Sequence, residues 1–122
     1  MYPDRKVSAT PDISLTPAAF QVLVSLAPGP RHGYAVMQDV EALTDGAVRL
    51  GPGTLYRTIG RLVADGLIEE TGGSEPAAPH DARRRRYQLT PLGRAVAERE
   101  AEAMARLVAR ARAVGLLRSV ET

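Results

Sequence analysis

Residues Gly51-Pro52-Gly53-Thr54-Leu55-Tyr56-Arg57, running on through Ile59, Arg61, Leu62 and Val63 to Gly66-Leu67-Ile68, constrain this chain more than any other stretch. Proline's fixed φ suits the first helical position, so Gly51-Pro52 reads as a helix start. Leu55, Ile59, Leu62 and Val63 recur at helical spacing and predict an inward face. Tyr56, Arg57 and Arg61 fall on the polar side. Gly66 ends the helix because glycine accepts positive φ, and Leu67 to Thr71 reads as a strand. An arginine run, Arg83 to Arg86, then opens a second strand after a loop of Gly, Ser and Pro. A short helix with basic and hydroxyl groups beside a basic two-stranded ribbon is the layout of a winged helix-turn-helix.

At 122 residues the chain has room for one domain with a small core. One Phe and four Tyr are the only aromatics, so that core must be aliphatic. The absence of cysteine excludes disulfides and thiolate metal sites and agrees with a reducing compartment. Net charge is only +2, so the distribution of charge matters more than its sum. All but one of the cations are arginine, whose planar fork matches phosphate and guanine, although a GC-rich genome explains that composition equally well. No apolar run is long enough to span a bilayer, and Arg5 and Lys6 are followed by no apolar segment of a secretory signal. A cytoplasmic protein without membrane contact, nucleoid-associated when bound to DNA, is expected.

The periodicities predict a mainly α fold with a small β-wing (α+β). Residues 1–13 read as a flexible arm, 14–90 as the winged domain, 91–117 as a C-terminal dimerisation helix and 118–122 as a disordered tail. Phe20, Leu23, Val24 and Ala27 mark the inner side of a first helix that Ser14 or Thr16 can cap. Tyr34, Met37, Val40 and Leu43 mark that of a second, starting near Arg31-His32-Gly33 and ending around Asp45-Gly46. Ala47 to Leu50 is short enough to supply a small extra strand. In the second wing strand, alternation puts Arg85, Tyr87 and Leu89 on one face and Arg84, Arg86 and Gln88 on the other. Thr90-Pro91 starts a last helix roughly 40 Å long at 1.5 Å per residue. Along it Ala97, Ala101, Met104, Val108 and Ala111 step by four, three, four and three, with Leu107 and Val114 widening one edge. So small a domain cannot bury the whole stripe, so a dimer arm is expected, packing on its mate or on the mate's first helix, Phe20 included.

The start of the third helix offers unpaired N–H groups and a partial positive charge, which favour phosphate. Gly53 lets the backbone come close, Thr54 adds a hydroxyl, and Tyr56 a phenol that can reach a backbone oxygen. Arg57 and Arg61, four apart, share a face. The rival reading, a nucleotide-phosphate loop, lacks the Gly-Lys-Ser/Thr ending such a loop needs. Tyr34 reads equally as a half-buried core residue or as a phosphate contact. His32 and His80 are too few for a metal site, and no cofactor is expected. The arginines of the wing read as a solvated strand or, better given the loop before them, as a ribbon laid on phosphates or a minor groove.

His32-Gly33-Tyr34, Gly53-Thr54-Leu55-Tyr56, Arg61-Leu62 with Asp65-Gly66-Leu67-Ile68, and Arg86-Tyr87 with Leu89-Thr90-Pro91-Leu92-Gly93-Arg94 resemble the PadR family of bacterial transcriptional regulators. The resemblance spans about residues 15 to 117 and is closest to the short-tailed members. It implies a winged helix-turn-helix, a dimerisation helix and repression released by a small molecule or stress signal. It also implies that Tyr56 and the start of its helix meet DNA, supported by Tyr34 and the wing. The chain has no Trp, so a flat aromatic drug sandwich is not implied. The expected function is a homodimeric repressor on an inverted-repeat operator in double-stranded DNA. The alternative is a winged-helix module that binds protein instead. An effector pocket at the dimer interface would have aliphatic walls such as Phe20, Leu23, Met104 and Leu107 and would take an apolar small molecule. No spacing of serines, histidines and carboxylates implies an enzyme.

Overall fold

The computed structural model describes residues 13–71 and 85–118. The chain runs α1 (Pro17–Leu26), β1 (Arg31–His32), α2 (Gly33–Leu43), α3 (Pro52–Ala64), β2 (Ile68–Thr71), β3 (Arg86–Leu89) and α4 (Pro91–Ala113). The three strands form one antiparallel sheet in the order β1-β3-β2. The expected mixture of helices with a small wing is therefore what forms. The extra strand is not Ala47 to Leu50. It is Arg31–His32, which Pro28-Gly29-Pro30 leaves extended and which pairs with Tyr87 and Arg86 of β3. Residues 47–50 are instead held as an irregular loop, with the Thr44 hydroxyl accepting from the Val48 N–H at 3.0 Å.

Helix starts and stops follow local chemistry. Thr16 caps α1 by accepting from the Ala19 N–H at 3.1 Å, and Pro17 occupies the first turn. At the end of α3, Gly66 adopts φ +76°. Its N–H donates to Val63 and that of Leu67 to Leu62, which satisfies two carbonyls that the helix end would leave open. The last helix stops at Ala113 rather than near Leu117. Gly115 turns to φ +85° and the Leu116 N–H returns to the Ala111 carbonyl at 2.8 Å. Its 23 residues give a rod of about 35 Å.

The core is aliphatic around a single aromatic, Tyr87. Leu23 and Leu26 of α1, Val36 and Val40 of α2, Leu55, Ile59 and Leu62 of α3, Leu67, Ile68 and Val96 enclose one another. Three of the expected helix faces are corrected. In α1 the buried side is Ala19, Val22, Leu23 and Leu26, while Phe20 is half-buried and Val24 exposed. Almost every residue of that helix is apolar or small, so spacing alone could not choose a face. In α2, Gly33, Val36 and Val40 turn inward, and Tyr34 and Leu43 stand in solvent. In α3, Val63 is exposed beside a buried Leu55, Ile59 and Leu62.

One joint connects these parts. The Thr90 hydroxyl donates to the Gly66 carbonyl at 2.6 Å and accepts from the Gly93 N–H at 2.9 Å, while the Thr90 N–H donates to the Leu67 carbonyl at 3.1 Å. Gly93 is there because a Cβ at that position would run into the Leu67 carbonyl oxygen and carbon. Beyond Ala97 α4 leaves the domain, and residues 101–110 are exposed throughout.

Gly93→Ala is expected to cost about 3 kcal/mol, because backbone rather than a flexible side chain must yield. Gly60→Ala, with open space around its Cβ in the middle of α3, should instead gain up to about 1 kcal/mol. Urea denaturation of the two variants checks both signs, and equal stabilities would refute the joint. Tyr87 supplies a pH dependence. Burial pushes its phenol pKa up, the Glu70 carboxylate adds to the rise, and Arg85 partly opposes it. A folded pKa above the unfolded value of 10.0 means that its contribution is complete below pH 10 and lost as pH rises through the folded value. Denaturation midpoints should therefore fall above pH 10 for the natural chain and less steeply for Tyr87→Phe.

Candidate nucleic-acid interface

The outer side of α3 is polar and exposed. Gly51 caps the helix without a side-chain hydrogen bond, Pro52 follows, and the first turn carries no acidic residue. Its amide end therefore faces outward with its partial positive charge uncompensated by a carboxylate. Gly53, Thr54, Arg57, Gly60 and Arg61 are all exposed. The Arg57 guanidinium donates to the Thr54 hydroxyl at 3.4 Å, and Arg61 approaches Asp65 at 4.0 Å with its side chain 78 % exposed. A pair that far in solvent is worth little and is readily exchanged for another anion. The structure thus brings Gly53, Thr54, Arg57 and Arg61 onto one surface. A groove beside Arg57 and Arg61 is closed on its other side by Ile13 to Thr16 and Ala19, with Thr58 and Asp65 on the helix. Sequence reading missed this wall, since nothing in residues 13–16 reveals that they run along α3.

Tyr56 is placed differently from expectation. Its ring is half-buried and its hydroxyl enclosed, lying under the start of α2. A Cβ on Gly33 would stand 3.0 Å from the Tyr56 hydroxyl and 3.1 Å from its ring. The phenol is thus a packing element between α2 and α3 and does not present its oxygen at the surface. The His32-Gly33-Tyr34 sequence supplies the missed signal: glycine at the first position of α2 makes the space into which Tyr56 fits. Tyr34 is 48 % exposed, so it stands outside the buried core. Its hydroxyl accepts from Gln38 at 3.4 Å.

The wing divides by face. Arg31, Tyr87 and Glu70 pair across the sheet on the inner side, and His32, Arg86 and Thr71 on the outer side. Arg86 and His32 are exposed next to each other. Arg85 is partly covered, its guanidinium 3.5 Å from Glu70 and its carbonyl accepting from the Gly33 N–H at 3.2 Å. That arginine is engaged inside the protein rather than presented. Arg83 and Arg84 lie outside the described residues. Of the expected effector walls, Leu23 is fully buried in the domain core and cannot line an interface pocket. Phe20 is half-buried, and Met104 and Leu107 stand on the free part of α4. Among the described residues no cluster of His, Cys, Asp and Glu could hold a metal, and no helix is long and apolar enough to cross a membrane.

The chain is similar to known proteins. A Streptomyces fradiae protein, the uncharacterized 37.1 kDa protein in transposon TN4556, is 44% identical over 96 residues, which is 76% of this chain and 24% of that protein. The transcriptional regulator Rv3488 of Mycobacterium tuberculosis is 38% identical over 77 residues, 63% of this chain and 55% of the relative. The chain thus spans between a quarter and about half the length of these relatives. The crystal structure of a PadR family transcription regulator from Clostridium difficile superposes with a TM-score of 0.64 at 18% identity, over 80% of this chain and 96% of that one, which establishes the winged-helix fold. Residues 22–99 match the transcriptional regulator PadR-like family, a family of regulators rather than enzymes, and the chain belongs to it.

Proposed function

We propose that this regulator is a homodimeric repressor that grips double-stranded DNA, inserting α3 of each copy into the major groove. The observation that carries the reading is the outer face of α3, where Thr54, Arg57 and Arg61 are exposed around an open helix N-terminus. A helix of 13 residues is about 20 Å long and fits a groove roughly 12 Å wide. Arg57 and Arg61 read base edges, where bidentate arginine–guanine contacts supply discrimination. Thr54, the amide groups near Gly53 and the exposed Tyr34 hold phosphates and set the register. Tyr56 acts indirectly, by fixing α2 against α3. Arg86, with Arg83 and Arg84 before it, adds salt-sensitive affinity from the wing.

The exposed stripe of α4 is the dimer surface in this reading. Met104, Leu107, Val108 and Val114 stay in solvent in the single chain, with Ala97 and Ala101 before them, Ala111 among them and Phe20 on α1 as a further contact. Two-fold pairing through α4 sets two copies of α3 on one side of a duplex and requires an inverted repeat with half-sites about 10 base pairs apart.

Arg57→Ala and Arg61→Ala should each relax preference at particular base pairs by about 1–3 kcal/mol, measured by competition between a selected operator and random duplex. Equal losses on both DNAs would remove the two arginines from base readout. Replacing Arg84 and Arg86 by alanine should flatten the salt dependence of affinity by up to about two phosphate contacts. Met104→Glu should yield monomers in sedimentation. If the natural chain fails to shift mixed-sequence duplex even at low salt, the DNA reading fails and a protein-binding winged helix takes its place.

A further inference from the structure

The groove beside Arg57 and Arg61 has more depth than contact with a duplex requires. It encloses about 500 Å³ between α3 and the segment that leads into α1. Its walls are aliphatic: Ile13 and Leu15 are half-buried, Ala19 and Leu62 are buried, and no lining residue is aromatic. The two guanidinium groups at its rim are splayed along the helix. A Cβ on Gly53 would stand 3.6 Å from Arg57 Nη1, and Arg57 Nη2 donates to the Thr54 hydroxyl at 3.4 Å, so Arg57 leans toward the start of α3. Arg61 leans the other way, with Nε 4.0 Å from Asp65 Oδ2. Both attachments are long and exposed, hence weak, and each guanidinium is available to another acceptor. Thr58, between them in sequence, also lines the groove and adds a hydroxyl.

The geometry points to a binding site for a monocarboxylate with a medium-length aliphatic chain. The carboxylate accepts from Arg57 and Arg61, whose planar forks match it, and the chain lies on Leu15, Ala19 and Leu62. Two guanidinium cations and the Asp65 carboxylate leave one net positive charge at the groove, which suits a monoanion better than a doubly charged phosphate. Walls without a ring to stack on suit methylene groups better than a flat aromatic molecule. Phe20, Met104 and Leu107 do not line this groove, so the site is separate from the apolar pocket expected at the dimer interface. The regulatory consequence rests on the DNA reading above. The ligand takes the two guanidinium groups proposed to read bases, so ligand and duplex exclude each other. Release from DNA then follows by direct competition, with the pairing of subunits untouched.

The test uses octanoate and the full chain, first without DNA. Titration followed by backbone amide NMR should give saturable shifts centred on residues 13–19 and 57–65. Each methylene moved from water onto a half-open apolar wall adds about twofold to threefold in affinity, so butanoate should bind at least about tenfold more weakly. Octanol and octylammonium, which keep the chain and lose the negative charge, should also bind at least about tenfold more weakly. Butanoate or octanol binding as well as octanoate, or shifts centred on α4, would overturn the site. Leu15→Gln should raise the octanoate Kd about tenfold while leaving duplex affinity within about twofold. Ile13→Gln, at the outer end of the segment, gives the same readout if Leu15→Gln disturbs the fold. Unchanged octanoate affinity in the folded variants would also overturn the site. In competition, octanoate should raise the apparent Kd for a selected operator in proportion to its concentration, with the sedimentation of the DNA-free chain unchanged. Octanoate bound in the groove without effect on duplex affinity would refute the competition. A chain that binds octanoate there and no duplex at all would remove the DNA reading and leave the site standing.

Discussion

The approach of Gly93 to the Leu67 backbone is the constraint on which the rest of the molecule depends. Helix α3 ends at Ala64, the wing begins at Ile68, and α4 begins at Pro91, so elements distant in sequence must meet at one point in space. Only a residue without a Cβ lets the first turn of α4 lie against the Leu67 carbonyl. The Thr90 hydroxyl then serves two partners, capping α4 through the Gly93 N–H and holding the Gly66 carbonyl. Neither contact is strong alone, since a typical hydrogen bond contributes about 1 kcal/mol net. Their value is geometric: they fix the direction in which α4 leaves relative to the end of α3.

A second contact of the same kind orients the other side of the domain. Gly33 opens α2, admits the Tyr56 ring of α3 and donates its N–H to the Arg85 carbonyl at the edge of the wing. Thus α2, α3 and the sheet are referenced to one small residue. Arg85, which looked like a free cation in the sequence, is drawn toward Glu70 by the same packing, beside the buried Tyr87. Arg86, one residue on, points the opposite way and stays exposed. Strand alternation therefore separates a structural arginine from a presented one.

What was legible in the sequence was what local chemistry decides. Gly66 as a helix stop and Thr90-Pro91 as a helix start appear where the sequence puts them, because caps and positive φ are properties of a few adjacent residues. The exposed Thr54, Arg57 and Arg61 follow from the strong polar and apolar division of α3. The inner faces of α1 and α2 were not legible. In α1, Phe20, Val22, Leu23, Val24 and Leu26 offer several apolar faces, and only the neighbouring helices select among them. Strand β1 is two residues long and exists only because β3 pairs with it. The inward turn of Tyr56 depends on Gly33, which is distant in sequence and adjacent in space.

The two halves of the molecule pose different physical problems, and the joint relates them. The domain is closed around its own core, whereas α4 beyond Ala97 has almost no domain surface to lie on. A helix segment of that length is marginal in water unless an apolar face is covered. Leaving Met104, Leu107, Val108 and Val114 exposed is therefore a cost that a covering partner would relieve. If that partner is a second copy, its grip on α4 is transmitted through Thr90 and Gly93 to the end of α3 with no flexible linker between. The separation of two reading helices would then be set by where along α4 the mate sits. A shift of one heptad would move each domain by about 10 Å along the rod, about three base pairs of duplex, and would break the match to a fixed half-site spacing.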